Sequence, residues 1–107
     1  MIAEARSMGL KVLLTEMDVN DRALPAEVTS RDAAVAATYG GYLQQALADE
    51  AVIALLTWGI TDKYTWLDFE STRSDKLPER CLPFDTEMQP TPAFFAERDA
   101  IASAAKR

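Results

Sequence analysis

Lys11–Val19 reads KVLLTEMDV and Ala51–Trp58 reads AVIALLTW. Both are short apolar runs bounded by turn residues, the pattern of β-strands. The second is apolar on both faces, as in a strand interior to a parallel sheet and covered on both sides. The first changes character at Glu16 and Asp18. Two carboxylates at the end of an apolar strand admit two explanations. The strand end reaches solvent, or the strand delivers a carboxylate to a chosen place.

Helical signals surround the two strands. Ile2–Met8 reads as the end of a helix, with Gly9 as its C-terminal glycine. Residues 20–30 contain Pro25 and many polar groups and read as a loop. A helix is expected to start near Arg31, with Thr29 and Asp32 at capping-box spacing. Val35, Tyr39, Tyr42, Leu43, Ala46 and Leu47 recur at helical spacing and form its apolar face. Gly40 and Gly41 weaken that helix unless they serve close packing. Residues 59–89 form a long irregular segment with Pro78 and Pro83, of the length usual for a functional loop or a cover. A last helix starts at Pro92, with Thr91 as N-cap. Its apolar side is Ala93, Phe94, Ala96, Ala100 and Ile101.

Alternating strands and helices mean βα units and a parallel sheet, hence an α/β fold. Two parallel strands leave open edges and uncovered faces. The missing strands come from another copy, or the chain is a piece of something larger. The second is the expectation adopted here, for a single domain over residues 1–107.

Composition narrows the function. The chain has 107 residues, 49% hydrophobic and 26% charged, which is ordinary for a globular domain. A net charge of -6 argues against nucleic acid and against anionic membrane surfaces, both of which call for basic groups. A neutral partner such as a sugar remains open. With no histidine, the serine and cysteine triads that depend on one are excluded. Cys81 is the single cysteine and reads as an inert thiol. Carboxylates and aromatics must carry any catalysis. No window has the length and apolarity of a membrane-spanning helix. Glu4 and Arg6 interrupt the N-terminus before a signal-peptide core can form. The acidic stretch around Asp18, Asn20 and Asp21 lacks the spaced ligands and the glycine of a calcium loop. Arg73, Lys76, Glu79 and Arg80 read most simply as a solvated loop face.

Strand side chains alternate, so Val12, Leu14, Glu16 and Asp18 would share one face. Val12 and Leu14 suit a barrel interior, and Glu16 would then stand in the mouth, where (β/α) barrels carry catalytic groups. Glu16 and Asp18 cannot form a glycosidase pair, because they approach a sugar from one side while the reaction needs flanking carboxyls. Trp58, Tyr64, Trp66 and Phe69 cluster at and beyond the second strand. They would stack on sugar faces or anchor the loop.

The motifs TEMDV, TWGITDKYTWL, LPFD and PTPAFFA, in this order, resemble the C-terminal part of glycoside hydrolase family 10. That resemblance implies a retaining endo-β-1,4-xylanase and the last two or so βα units of a (β/α)8 TIM barrel. Glu16 then matches the catalytic nucleophile on the seventh strand. Trp58 and Trp66 match the two tryptophans that wall the sugar beside the cleaved bond. Thr57, Gly59 and Asp62 match the pattern in a supporting way, and Pro83, Phe84 and Asp85 lead back to the final helix. The substrate would be xylan or a xylo-oligosaccharide, and the chemistry requires no metal or organic cofactor. Members are commonly secreted or periplasmic. The family's acid/base glutamate, in a WDVVNE-like stretch, is absent from this sequence. The expectation is therefore a nucleophile-bearing fragment, inactive alone unless complemented. The alternative is a non-catalytic piece that self-associates, pairs with a complementary barrel fragment, or binds carbohydrate weakly.

Overall fold

A computed structural model describes residues 1–106. The first element, α1, spans Ile2–Ser7. It ends in a Schellman motif: Gly9 has φ +73°, Gly9 N donates to Arg6 O at 2.9 Å, and Leu10 N donates to Ala5 O at 3.0 Å. Strand β1 follows over Val12–Met17, ending two residues before Val19, the last residue of the run.

Helix α2 spans Val28–Leu47, beginning three residues before the expected start. Its N-cap is Glu27, not Thr29. The Glu27 carboxylate accepts from Thr29 N at 2.8 Å and from Ser30 N at 2.7 Å, so a side chain longer than the usual cap satisfies two orphan amides. Those bonds hold its pKa down at about 2, with Ser30 as the main cause. Asp32 is thereby free of capping and pairs with Arg80 instead. The helix buries Val35, Tyr39, Leu43, Ala46 and Leu47, whereas Tyr42 lies off this stripe and is half exposed. Gly40 does not break it. A Cβ there would sit 3.7 Å from Ala96 Cβ, so the small pair lets α2 approach the last helix.

Strand β2 spans Val52–Thr57 and pairs with β1 in parallel. The register runs Val12 to Val52, Leu13 to Ala54, Leu14 to Leu55 and Met17 to Thr57. It slips twice: β2 carries Ile53 as an extra residue early, and β1 carries one extra residue in the Thr15–Glu16 step. The segment after β2 holds a 3-10 turn over Asp62–Tyr64 and a short helix α3 over Leu67–Glu70. Helix α4 spans Pro92–Ala102 with Thr91 as N-cap. The Thr91 hydroxyl donates to Pro83 O at 3.0 Å, tying the long loop to the start of α4.

The main core lies on one side of the sheet. Val19, Val35, Tyr39, Leu43, Leu47, Val52, Ala93 and Ala100 are buried there, with Val12, Leu14, Met17 and Leu55 packed against them. This corrects the expected facing of β1: Val12 and Leu14 pack on the helix side, not on a barrel-interior side. The other side is uncovered, with Leu13 and Leu56 half exposed. Each edge is also open. A groove of about 490 Å³ follows the free edge of β1, between Leu14, Glu16, Val19, Thr38 and Tyr42. A second, of about 520 Å³ and more apolar, runs beside β2 and α4 past Ile60, Phe84, Phe94 and Ile101. Ile101, expected on the core side of α4, lines that open groove.

The long loop is held by a buried charge cluster. Asp21 is fully buried, with Arg31 at 3.3 Å and Arg73 at 3.8 Å. Arg73 also bonds Leu24 O at 3.0 Å and Asp75 at 2.6 Å, and its guanidinium donates to Asp21 O. Glu79 is buried beside Asp21. Arg73 and Glu79 are therefore interior, and Arg80 is clamped on Asp32 at 2.5 and 2.8 Å. Of the four residues expected to form a solvated face, only Lys76 is exposed. The reason is that one carboxylate in the first loop attracts guanidinium groups distant in sequence, and a buried charge requires such partners.

Candidate functional site

Glu16 sits at the carboxyl end of β1 and has φ +63°. That region costs a non-glycine residue roughly 1–2 kcal/mol. The cause is the register slip. Leu14 and Met17 both pack on the core, and Thr15 and Glu16 between them are both exposed. In an unbroken strand Glu16 would share the face of Leu14 and lie under the helices. The extra residue re-aims it, a known use of a bulge next to a site.

Two tryptophans flank this strand end. Trp58 follows β2 directly, and its backbone N donates to Met17 O at 2.9 Å, one residue from Glu16. Its side chain is about half exposed, 49%. Gly59, next in sequence, takes φ +110°, and a Cβ there would meet Leu82 Cδ1 at 3.0 Å. Glycine is thus required for the sharp exit of the chain past Trp58. Trp66 lies at the start of α3, 43% exposed, and its indole Nε1 donates to Asp18 Oδ2 at 2.6 Å. Tyr64 and Phe69 are more exposed still, at 75% and 82%. The interior of this loop is instead Leu67, Cys81 and Leu82, with Asp62 and Thr65. All four aromatics are thus partly or largely exposed, although Trp66 also ties the loop to Asp18 and Lys63 Nζ lies 5.4 Å from the Tyr64 ring centroid.

Asp62 provides part of the anchoring. Its Oδ1 accepts from Cys81 N and Leu82 N, both at 2.9 Å. Burial nevertheless raises its pKa to about 6, outweighing those two bonds. Cys81 is fully buried, its thiol lies 3.1 Å from Thr65 Oγ1, and burial pushes its pKa up, which disfavours the reactive thiolate. Tyr39 OH donates to Cys81 O at 2.9 Å, joining the loop to α2.

The structure thus places Glu16, Trp58 and Trp66 at the same end of the sheet, on two strand ends and the loop between β2 and α4. Asp18 adds a link that sequence reasoning missed. Its role depends on an indole 48 positions away, so no local signal marks it.

Comparison with known proteins gives a consistent answer. The model described as Glycosyl hydrolase family 10 matches residues 1–100. Endo-1,4-beta-xylanase 5 of Pyricularia oryzae is 34% identical over 101 residues, which is 92% of this chain and 23% of that protein. Xylanase 10B of Thermotoga petrophila RKU-1, solved in complex with xylobiose, superposes with a TM-score of 0.77 at 26% identity. That match covers 94% of this chain and 29% of the xylanase. A glycosylated endo-beta-1,4-xylanase of Gloeophyllum trabeum gives 0.73 at 29% identity, covering 95% and 30%. The chain spans about a quarter of the curated relatives it matches. With residues 1–100 of its 107 matched by the family model, the chain belongs to glycosyl hydrolase family 10.

Proposed function

We propose that this chain is the nucleophile-bearing part of an endo-1,4-beta-xylanase, corresponding to about the last two βα units of a TIM barrel. The observation that carries the reading is the placement of Glu16. A strained bulge keeps it out of the helix-facing core and exposed at the strand's carboxyl end, beside Trp58 and Trp66. Backbone strain of this kind persists where the surrounding structure holds it for use.

In this reading Glu16 attacks the sugar carbon and forms a glycosyl-enzyme intermediate, so the linkage is hydrolysed with retention. Trp58 and Trp66 stack on the xylose rings that flank the bond. A retaining site needs a second carboxyl group about 5–5.5 Å from the first to protonate the leaving oxygen. Asp18 does not fill that role, since its carboxylate is held by Trp66. The acid/base glutamate comes from strands outside this chain. The chain alone therefore holds half of the catalytic pair and little of the cleft, and loss of the acid alone removes roughly 100- to 10,000-fold in rate.

The test is release of reducing sugar from xylan by the purified chain, alone and mixed with the N-terminal three-quarters of a family 10 barrel. The expected result is none from the chain alone and Glu16-dependent release from the mixture, abolished by Glu16→Gln. Release that survives Glu16→Gln would reject Glu16 as nucleophile.

A second reading has its own support in the open sheet. Leu13 and Leu56 stand half exposed between two unpaired edges. Such edges pair readily with another chain. Self-association without catalysis would appear as concentration-dependent sedimentation that Leu56→Lys suppresses.

A further inference from the structure

The loop after β1 and the loop after β2 are joined residue by residue. Asp18 Oδ2 accepts from Trp66 Nε1 at 2.6 Å. Val19 N donates to Cys81 O at 3.3 Å. Asn20 Nδ2 donates to Ser71 Oγ at 2.9 Å. Asp21 Oδ2 accepts from Arg80 N at 3.0 Å, and its backbone carbonyl accepts from Arg73. Four consecutive residues thus reach across to one partner loop. The links of Val19, Asn20 and Asp21 tie loop to loop: those of Val19 and Asp21 lie in the interior, and that of Asn20 lies at the surface. The Asp18 link is different, because its partner is an exposed aromatic ring beside Glu16.

We propose that Asp18 is a positioning residue: its carboxylate orients the Trp66 indole so that the ring's face is presented to the sugar bound at Glu16. This rests on the reading of Trp66 as a sugar platform and adds to it the group that orients the ring. The geometry supports the assignment in three ways. The indole nitrogen has a single donor hydrogen, and one carboxylate oxygen takes it. A charge-assisted bond of this length is among the stronger kinds. Asp18 lies two residues beyond Glu16 on the same chain segment, so the nucleophile and the platform share one rigid support. A ring held at its edge in this way leaves its faces free, which stacking requires. Among the described residues no side chain tethers the Trp58 indole in this way, and Trp58 is placed instead by its backbone bond to Met17.

The experiment uses the two indole N–H signals in proton–nitrogen NMR, assigned with Trp58→Phe, with xylotriose as the probe. In the wild-type chain the Trp66 indole proton exchanges slowly with solvent, and xylotriose shifts its signal. Asp18→Ala should abolish the slow exchange and weaken xylotriose binding by about 3- to 10-fold, the range for losing one hydrogen bond at a partly exposed site. Asp18→Asn, which keeps an acceptor oxygen, should restore most of both. In a Trp66→Ala background, Asp18→Ala should produce no further loss.

A xylotriose response that Asp18→Ala leaves intact would overturn the positioning role while the sugar platform stands. Absence of any xylotriose effect on either wild-type indole would overturn the platform, and the positioning role with it. Slow exchange that persists in Asp18→Ala would show that the indole is held by something other than Asp18, and would also reject the proposal.

Discussion

The two faces of the sheet differ in what covers them. On the helix side, Leu43 and Tyr39 are wholly buried with Val52 between α2, α4 and the strands. On the other side Leu13 and Leu56, equally apolar, are half exposed. The same type of residue therefore means stability on one face and an unfilled interface on the other. The bulge moves Glu16 out of step with Leu14 and Met17 and leaves it exposed, at the expense of a positive φ.

The largest effect should come from comparing the faces directly. Leu43→Ala is expected to cost about 2–5 kcal/mol, as for other fully buried leucines, measured by urea unfolding of the chain alone. Leu56→Ala should change stability by no more than about 0.5 kcal/mol in the same assay, in keeping with a surface position. A comparable loss at both sites would mean that the open face is covered in solution by another copy.

The next test concerns the charge cluster behind the rim. Burial and the neighbouring Asp21 carboxylate raise the pKa of Glu79 to about 8. Asp62, raised to about 6 by burial, acts in the same sense. Between its unfolded and folded pKa values each group holds its proton only in the folded chain. Stability from them is complete at low pH and is lost as pH rises, from about 4.5 to 8 for Glu79. Asp75 acts oppositely. Its bonds to Arg73 lower its pKa to about 2, so its contribution is present above about 4 and is lost as pH falls toward 2. Thermal unfolding should therefore show the highest Tm near about pH 4–5, with a decline toward pH 8. Glu79→Gln should flatten the alkaline side of that profile. A wild-type Tm that rises from pH 5 to 8 would contradict the buried protonated carboxyl.

The last test should show a gain. Glu16→Gly removes a side chain from φ +63° and should stabilise the chain by about 1 kcal/mol, near the lower end of the penalty that L-residues carry there. Lys76→Gly, at φ +60° but away from the strand end, is the control. A loss of stability at Glu16→Gly alone would show that its side chain makes stabilising contacts despite its exposure.

Much of the scaffold was legible before any coordinates. The strands, the order of elements, the glycine stop of α1 and the proline start of α4 follow from short-range patterns. Local rules failed where a long-range partner intervened. Thr29 and Asp32 had capping-box spacing, but Glu27 capped the helix and Asp32 was drawn to Arg80. Arg73 and Glu79 looked like a solvated face because nothing nearby announces Asp21 as their partner. Strict alternation placed Val12 and Leu14 on the wrong side of the sheet, since alternation alone cannot say which face the helices will cover.

By itself the sequence determined that this is an α/β chain with Glu16 at a strand end and Trp58 and Trp66 beyond the next strand. Those features depend on periodicity and on the conformational limits of glycine and proline, which act over a few residues. Only the tertiary structure decided that the strand slips by one residue at Glu16, that Asp18 holds the Trp66 indole, and that one face of the sheet stays open. Each of these depends on what the chain meets far along its length, where pairing register and burial are set by the whole fold.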